Sequence, residues 1–378
     1  MTPDIVVIGG GVMGLATAWR LAQGGRAVTL LEADRCGSGA SYAALGALVP
    51  SVSTRQNALT ALQRESLLLY PNFCAELAQF ATQPLYERRG RLELLRSAGR
   101  RENAHHEVRL SAQQWNAIDG CAPQEVITAA EVAQLEPGLR PAEHGAIHCR
   151  ITAQVHVDGL VAALRAACER SGVQIREHAE VEDVVTAGDR GTGARVTGVR
   201  LANDAATIEC KQVLLTAGAH AAQLRTVQDA TLTEPARGQS LTLRVQQPVS
   251  DRLIRCGAIY VLRRDQNTVV VGATTEHEAG FDRTPTPAAR ELLFAGAVDL
   301  LPELQASQVV EHRSGLRPSS VDLRPYLGCV PGVDGLFAAV GHYKIGVALT
   351  PITAAVVSEL ILTGDCAWDL APFAPRGQ

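Results

Sequence analysis

The first 32 residues constrain this chain most: Asp4-Ile-Val-Val-Ile-Gly9-Gly10-Gly11-Val12-Met13-Gly14, a helical stretch, then Ala27-Val-Thr-Leu-Leu-Glu32. They read as an apolar strand, a glycine-rich turn, an amphipathic helix and a second strand ending in an acid. Gly9 permits the tight strand-to-helix turn, Gly11 lets the backbone approach a pyrophosphate, and Gly14 lets helix and strand pack closely. The helix opens with free N–H groups from Val12 and Met13 onward and with a partial positive charge. Glu32, with Ala33 beside it, lies near the spacing at which an acid meets ribose hydroxyls. A glycine fingerprint alone recurs in unrelated loops. Flanked by strand, helix and acid, it predicts a dinucleotide site.

The 378 residues exceed one typical core, which predicts two domains. A formal net charge of -4 provides no basic field for nucleic acid and no polycationic patch for a membrane surface. The nine cysteines form no C-x-x-C pair and are odd in number. They read as reduced thiols of a cytoplasmic protein rather than as a disulfide framework or a zinc site. His105, His106 and His277 have no partner at metal-ligand spacing, so they read as surface residues and no metal is expected. Residues 5–18 are apolar, but no basic segment precedes them and three glycines interrupt them, which argues against a signal peptide. No uninterrupted apolar run of about 18 residues occurs, so no membrane-spanning helix is expected.

Along the chain, Gly24-Gly25 should stop the first helix, and residues 57–82 have helical character. The segment 85–145 reads as short strands and turns. Val157–Gly172 reads as a capped helix feeding strands near 173–176 and 180–185, and a hairpin is expected at Asn203-Asp204. Val213–Ala217 returns to a buried strand, and 225–310 alternates in a β manner. Leu336–Gly341 is a last buried strand, and Thr350-Pro351 is expected to open a helix that Gly364 stops. The fold class that follows is α/β. A discontinuous Rossmann-like domain (1–84, 146–224 and 311–378) is joined to a second, mostly antiparallel-β domain (85–145 and 225–310).

Two features favour FAD over NAD. A strand-loop-helix unit at 336–362 would aim a second helix N-terminus into the cofactor crevice. The small-residue loop at 37–46, with Ser41, Ala43 and Gly46, suits burial of a tricyclic ring. Nearly the whole chain resembles the D-amino-acid oxidase superfamily, and among its members the glycine oxidases of the thiamine pathway. The resemblance is carried by Val7-Ile-Gly-Gly-Gly-Val-Met-Gly14, Glu65-Ser-Leu-Leu-Leu-Tyr-Pro71, Leu135-Glu-Pro137, Gly145-Ala146 and Val155-His-Val-Asp158. It continues in Thr216-Ala-Gly-Ala219, Pro235-Ala-Arg-Gly-Gln239, Val271-Gly-Ala-Thr274, Gly315-Leu-Arg-Pro318, Arg324-Pro-Tyr-Leu-Gly328 and Gly341-His-Tyr-Lys-Ile-Gly-Val-Ala-Leu-Thr-Pro351.

That resemblance implies an FAD domain and a substrate domain, with the amine held on one face of the flavin. It places the carboxylate-binding arginine at Arg317 and a substrate-contacting tyrosine at Tyr260. It extends the cofactor set to Val181, Ala217, Gly218, Arg317, Gly341, His342, Tyr343, Lys344, Ile345 and Gly346. The chain departs from the family's His-[Phe/Tyr]-Arg-Asn-Gly at Lys344-Ile345, which bears on substrate preference and oxygen handling. Cys329 does not match the motif of relatives that attach flavin covalently, so FAD is expected to be non-covalent. The reaction implied is hydride transfer from the α-carbon of glycine, sarcosine or a small D-amino acid to flavin N5, with O2 giving H2O2. The alternative is a dehydrogenase of the same fold that passes electrons to a quinone or partner subunit. A flavin-binding scaffold or tRNA-modifying protein is a third class, which the negative charge disfavours. The resemblance leaves a homo-oligomer open.

Overall fold

The apolar runs Ile5–Ile8 and Val28–Leu31 are buried at every residue, as parallel strands covered on both faces must be. In the computed structural model they lie side by side in a six-stranded sheet. Its order is Tyr326–Cys329, Leu336–Val340, Gln212–Leu215, Ile5–Ile8, Val28–Leu31, Gln174–Arg176. Every neighbouring pair is parallel except the edge pair made by Tyr326–Cys329. The structure describes residues 2–52, 57–115, 123–189, 193–202, 204–227 and 229–376.

Seven helices complete the described chain: α1 (Val12–Gln23), α2 (Ala58–Leu77), α3 (Ala98–Trp115), α4 (Ala129–Leu135), α5 (Val157–Arg170), α6 (Pro287–Leu300) and α7 (Gly346–Thr363). One face of the six-stranded sheet (Ile5, Val7, Val28, Leu30, Leu214) packs against α1, α2, α5 and α7. The other face (Val6, Ile8, Leu31, Val213, Leu215) packs against strands Val181–Ala187 and Ala194–Leu201. The expected hairpin joins Ala194–Leu201 to Asp204–Glu209, and Asn203 at its tip lies outside the described residues. A second, eight-stranded sheet runs Gln308–Ser320, Thr233–Arg244, Thr268–Gly272, Ile259–Arg263, Leu253–Cys256, Arg91–Leu94, Ala146–Cys149, Gln124–Ile127. It is antiparallel apart from the pairing of Leu253–Cys256 with Arg91–Leu94.

Four helices differ from the sequence reading. The segments read as strands and turns contain α3, α4 and α6. α3 buries only Ala104, Ser111 and Trp115, a stripe too narrow to stand out from its polar surroundings. α7 begins at Gly346, not at Thr350, so Pro351 lies inside it. With the turn before it, Tyr343–Thr363 is long and apolar enough to cross a membrane by length and composition. Here it is a core helix packed between α1 and α2, with Ala348, Leu349, Ile352, Ala354, Val356 and Val357 buried.

Pro351 has no N–H for the Val347 carbonyl four residues back. Tyr70 on α2, itself fully buried, donates its hydroxyl to that carbonyl at 2.5 Å. A proline is therefore tolerated mid-helix because a neighbouring helix supplies the missing donor. Tyr70→Phe is expected to destabilise by about 1–3 kcal/mol in urea unfolding. In a Pro351→Ala background α7 supplies its own donor, and the loss should shrink. A loss of equal size in both backgrounds would assign the effect to packing instead.

Candidate active site

Ligands of open parallel sheets sit beyond the carboxyl ends of the strands. Four distant segments meet there: Gly9–Gly14 after Ile5–Ile8, Glu32-Ala33 after Val28–Leu31, Ala217-Gly218 after Gln212–Leu215, and Gly341–Gly346 after Leu336–Val340.

The glycine turn is sterically obligatory. Gly9 has φ +109°, and a Cβ on it would lie 2.6 Å from the Thr216 carbonyl oxygen. A Cβ on Gly14 would lie 1.8 Å from the Gly9 carbonyl oxygen, whereas one on Gly11 would meet only Ser41 Oγ, at 3.5 Å. Ser41 Oγ accepts the Val12 N–H at 3.2 Å, and the Met13 and Gly14 N–H groups have no acceptor within α1. Glu32 Oε2 accepts the Gly10 N–H at 2.7 Å and Oε1 that of Asp34 at 2.9 Å, which holds the carboxylate beside the turn. Ala33 is exposed next to it. The Ala179 N–H reaches the Glu32 carbonyl at 2.8 Å, bringing the start of strand Val181–Ala187 to the same corner.

The loop after Glu32 ties this edge to the second sheet. Ser240 Oγ donates to the Ala43 carbonyl at 3.3 Å, and Arg313 Nη1 to the Tyr42 carbonyl at 3.0 Å. Arg264 spans the Leu45 and Val155 carbonyls. Gly46 (φ +70°) presses against Val155, whose N–H it accepts at 2.8 Å.

Arg317 lies on strand Gln308–Ser320 in the eight-stranded sheet. Its guanidinium crosses the neighbouring strand over Gly238, where a Cβ would lie 2.2 Å from Arg317 Cζ. Nη1 donates to the Thr274 carbonyl at 2.9 Å, and among the described residues no carboxylate pairs with it. Desolvation by burial pushes its pKa down, though an arginine remains charged. Register places Arg313, Ser240, Gly272 and Tyr260 in one row across four strands, on the face that also carries Gly315, Gly238 and Arg317. The Tyr260 ring lies under the Arg255 guanidinium, 5.0 Å away, with two strands between its own strand and that of Arg317.

In the last segment, Gly341 (φ +79°) and Tyr343 (φ +48°) both adopt left-handed conformations around His342. That turn sends the His342 imidazole inward, 3% exposed, with Nε2 3.1 Å from Thr353 Oγ1. Tyr343 extends to His277 Nε2 at 3.3 Å, and exposed Lys344 holds its ammonium 5.1 Å from the Tyr343 ring centroid. Ile345 stands at the N-cap of α7 and makes no side-chain cap. The first N–H groups of α7, from Gly346 onward, are thus uncapped beside the sheet edge.

Burial pushes the His342 imidazole down to about 3. The unfolded chain protonates it near 6.5, so stability is complete above that pH and is lost progressively as pH falls toward the folded value. At about pH 5 the linkage amounts to about 2 kcal/mol. His342→Asn should lose that much of the stability difference between neutral pH and about pH 5 in urea titrations. A variant with the full wild-type pH dependence would place the acid sensitivity elsewhere.

Sequence reading missed the brace behind Arg317. Gln239 N–H donates to Thr274 Oγ1 at 3.0 Å, Thr274 Oγ1 and Gln239 Nε2 donate to Glu276 Oε1, and Arg237 Nε donates to Glu276 Oε2 at 2.8 Å. Two of the quoted motifs, Pro235–Gln239 and Val271–Thr274, supply it. Their polar residues were visible, but only strand register brings them together. His277, read as a surface residue, is exposed but contacts Tyr343. Cys329 is exposed at the end of its strand, the eight cysteines among the described residues are free, and no His, Cys, Asp or Glu cluster there suits a metal.

A parallel nucleotide-binding sheet, faced by an antiparallel sheet whose Arg317 meets no carboxylate among the described residues, defines a dinucleotide-dependent protein with a second, ligand-facing layer. The model of the family described as FAD dependent oxidoreductase matches residues 4–360, and the chain belongs to that family. It is 34% identical to a glycine oxidase of Pseudomonas putida over all of both chains. It is 32% identical to a glycine oxidase of Pseudomonas aeruginosa, again over all of both chains. The crystal structure of glycine oxidase from Geobacillus kaustophilus superposes with a TM-score of 0.88 at 27% identity, covering 100% of this chain and 99% of that one. The protein is an FAD-dependent oxidoreductase. The donor set fits that cofactor: uncapped N–H groups at α1, a carboxylate at the end of the second strand, and glycines where a Cβ would fill the cradle.

Proposed function

We propose that this protein oxidises the amine of glycine or another small amine-bearing acid, such as sarcosine or a small D-amino acid, with O2 as electron acceptor and H2O2 as product. The observation that carries this reading is Arg317. It is a guanidinium withdrawn from solvent, anchored on one carbonyl and lacking any carboxylate among the described residues. A cation held that way has a vacant fork for a ligand's carboxylate. Over Gly238, Gly272 and Gly315 the Arg317 guanidinium, Leu45 and Ala43 pack close, so glycine at these positions seats the arginine and the loop on the sheet. The identity to glycine oxidases supports the same class.

Bound FAD, held without a covalent link, supplies the acceptor for the two electrons of the α C–H bond. The protein's part is orientation. Arg317 fixes the carboxylate and thereby the α-carbon, so the reaction draws on positioning more than on acid–base groups. His342, buried and neutral, is not needed as a base. The uncapped start of α7 favours negative charge at the sheet edge. Water hydrolyses the product imine to the 2-oxo acid and ammonia, or methylamine when the substrate is sarcosine. In this reading the six-stranded sheet carries FAD, and the eight-stranded sheet, including the strand of Arg317, faces the substrate.

The test is anaerobic mixing of the FAD-loaded protein with glycine, sarcosine or small D-amino acids, followed by air. Bleaching of the flavin band that reverses in air with stoichiometric peroxide is the expected result. Bleaching that persists in air would replace O2 with another acceptor, and no bleaching by any of these amines would overturn the substrate class.

A further inference from the structure

We propose that Arg264 is a positioning residue for the oxidation: by holding the loop 37–46 on the eight-stranded sheet, it fixes the spacing between the substrate's α-carbon and the FAD-bearing side of the crevice. The inference rests on the reading above, in which one sheet carries FAD and the other faces the substrate, and names a side chain that keeps the two in register.

The loop is gripped by its carbonyls. Arg283 Nη2 donates to that of Ser38 at 2.5 Å, Arg313 Nη1 to that of Tyr42 at 3.0 Å and Ser240 Oγ to that of Ala43 at 3.3 Å. Arg264 closes the series at Leu45. All these donors belong to the eight-stranded sheet or to the segments between its strands. The other end of the loop is fixed to the dinucleotide turn, where the Gly37 N–H meets the Gly10 carbonyl at 2.9 Å. A grip on main-chain carbonyls leaves no side-chain rotation between donor and backbone, so it sets where the loop itself lies.

Arg264 stands apart from the other donors. It opens the turn 264–267 between strands Ile259–Arg263 and Thr268–Gly272, and its own N–H meets the Thr268 carbonyl at 2.8 Å. From there Nη1 donates to the Val155 carbonyl at 3.1 Å and Nη2 to that of Leu45, so one planar fork ties three segments distant in sequence. The ring closes on itself: the Val155 N–H meets the Gly46 carbonyl at 2.8 Å, and Gln154 Nε2 meets that of Arg263 at 3.0 Å. Arg313 is neutralised by Asp158 and Glu311, whereas among the described residues no carboxylate pairs with Arg264. Desolvation pushes its pKa down to about 10, and a charge kept in that setting costs stability that only its two carbonyls offset. The Leu45 side chain seats the loop on the ligand-facing row. A Cβ on Gly272 would lie 2.7 Å from Leu45 Cδ2, and Gly272 pairs with Ser240 on one side and Tyr260 on the other.

Arg264→Met keeps the aliphatic stem and removes the fork. In the FAD-loaded protein, amide hydrogens of the segment 42–48 are expected to exchange about tenfold faster in this variant, while those of α1 keep their wild-type rate. The limiting rate of anaerobic flavin bleaching at saturating glycine should fall about 10- to 100-fold, because small displacements of reacting groups are that costly. Acetate binding, read at equilibrium from the flavin spectrum, should stay within about threefold, since Arg317 is untouched. Arg264→Lys retains the charge without the planar fork and should give an intermediate rate; it carries the same test if Arg264→Met does not fold. A wild-type bleaching rate per bound flavin in both variants overturns the inference, even if flavin content or Tm falls, and makes Arg264 a structural residue. A slower rate with unchanged exchange in 42–48 overturns it too. Absent bleaching in the wild type is a separate failure, that of the amine reading, and removes this inference with it.

Discussion

Arg317→Ala should lower kcat/KM for glycine about 100-fold or more, chiefly through KM. The guanidinium offers a carboxylate two charge-assisted hydrogen bonds, and losing both corresponds to about 3 kcal/mol. The same substitution should leave Tm unchanged or raise it. Arg317 is desolvated and meets a single carbonyl, so the folded protein holds a cation that no carboxylate compensates among the described residues. Arg317→Lys should recover part of the affinity, because a lysine keeps the charge and loses the planar fork. Steady-state kinetics and a thermal melt on the same preparations decide the matter. A falling Tm with unchanged kcat/KM would make Arg317 a structural residue.

Gly14→Ala is expected to yield protein without flavin. The added Cβ would sit 1.8 Å from the Gly9 carbonyl oxygen and 2.7 Å from Thr216 Oγ1, so α1 must move off the strand that precedes it. Overpacking of that kind destabilises by about 1–3 kcal/mol or more. It also displaces the N–H groups that a diphosphate would meet. Gly11→Ala makes the informative contrast. Its Cβ would meet only Ser41 Oγ at 3.5 Å, so the polypeptide accommodates it. Lost flavin affinity with an unchanged melt of the flavin-free protein would place the cofactor against Gly11. Full flavin occupancy in Gly11→Ala would move the diphosphate elsewhere.

The parts of the site carried by contiguous residues were legible in the sequence. The glycine turn, Glu32 and the boundaries of α1 follow from local sterics and strand-to-helix periodicity. The strand at Leu336–Val340 was likewise legible as an apolar run. α3 and α6 were not. α3 exposes most of its surface, and α6 buries only Ala289, Leu293, Ala297 and Leu300. For α6 a signal existed in Thr286-Pro287, where Thr286 accepts the Ala289 N–H. The bracket of Thr274, Glu276 and His277 could not be read from sequence, because it depends on the register of three strands and on a turn some 70 residues away.

Two identical dipeptides separate local from tertiary information. Thr286-Pro287 and Thr350-Pro351 carry the same helix-start signal. The first caps α6, while the second lies inside α7. The sequence by itself determined that a dinucleotide turn opens the chain, since only glycine meets its φ angle and its close contacts. Which Thr-Pro begins a helix was decided by the tertiary structure. At Pro351 the orphaned Val347 carbonyl finds the Tyr70 hydroxyl from α2, so the helix runs on. The Arg317 corner was decided in the same way, because its partners come from strands and a turn that meet only when the sheets are assembled. Such a hydrogen bond depends on a partner that local sequence does not contain.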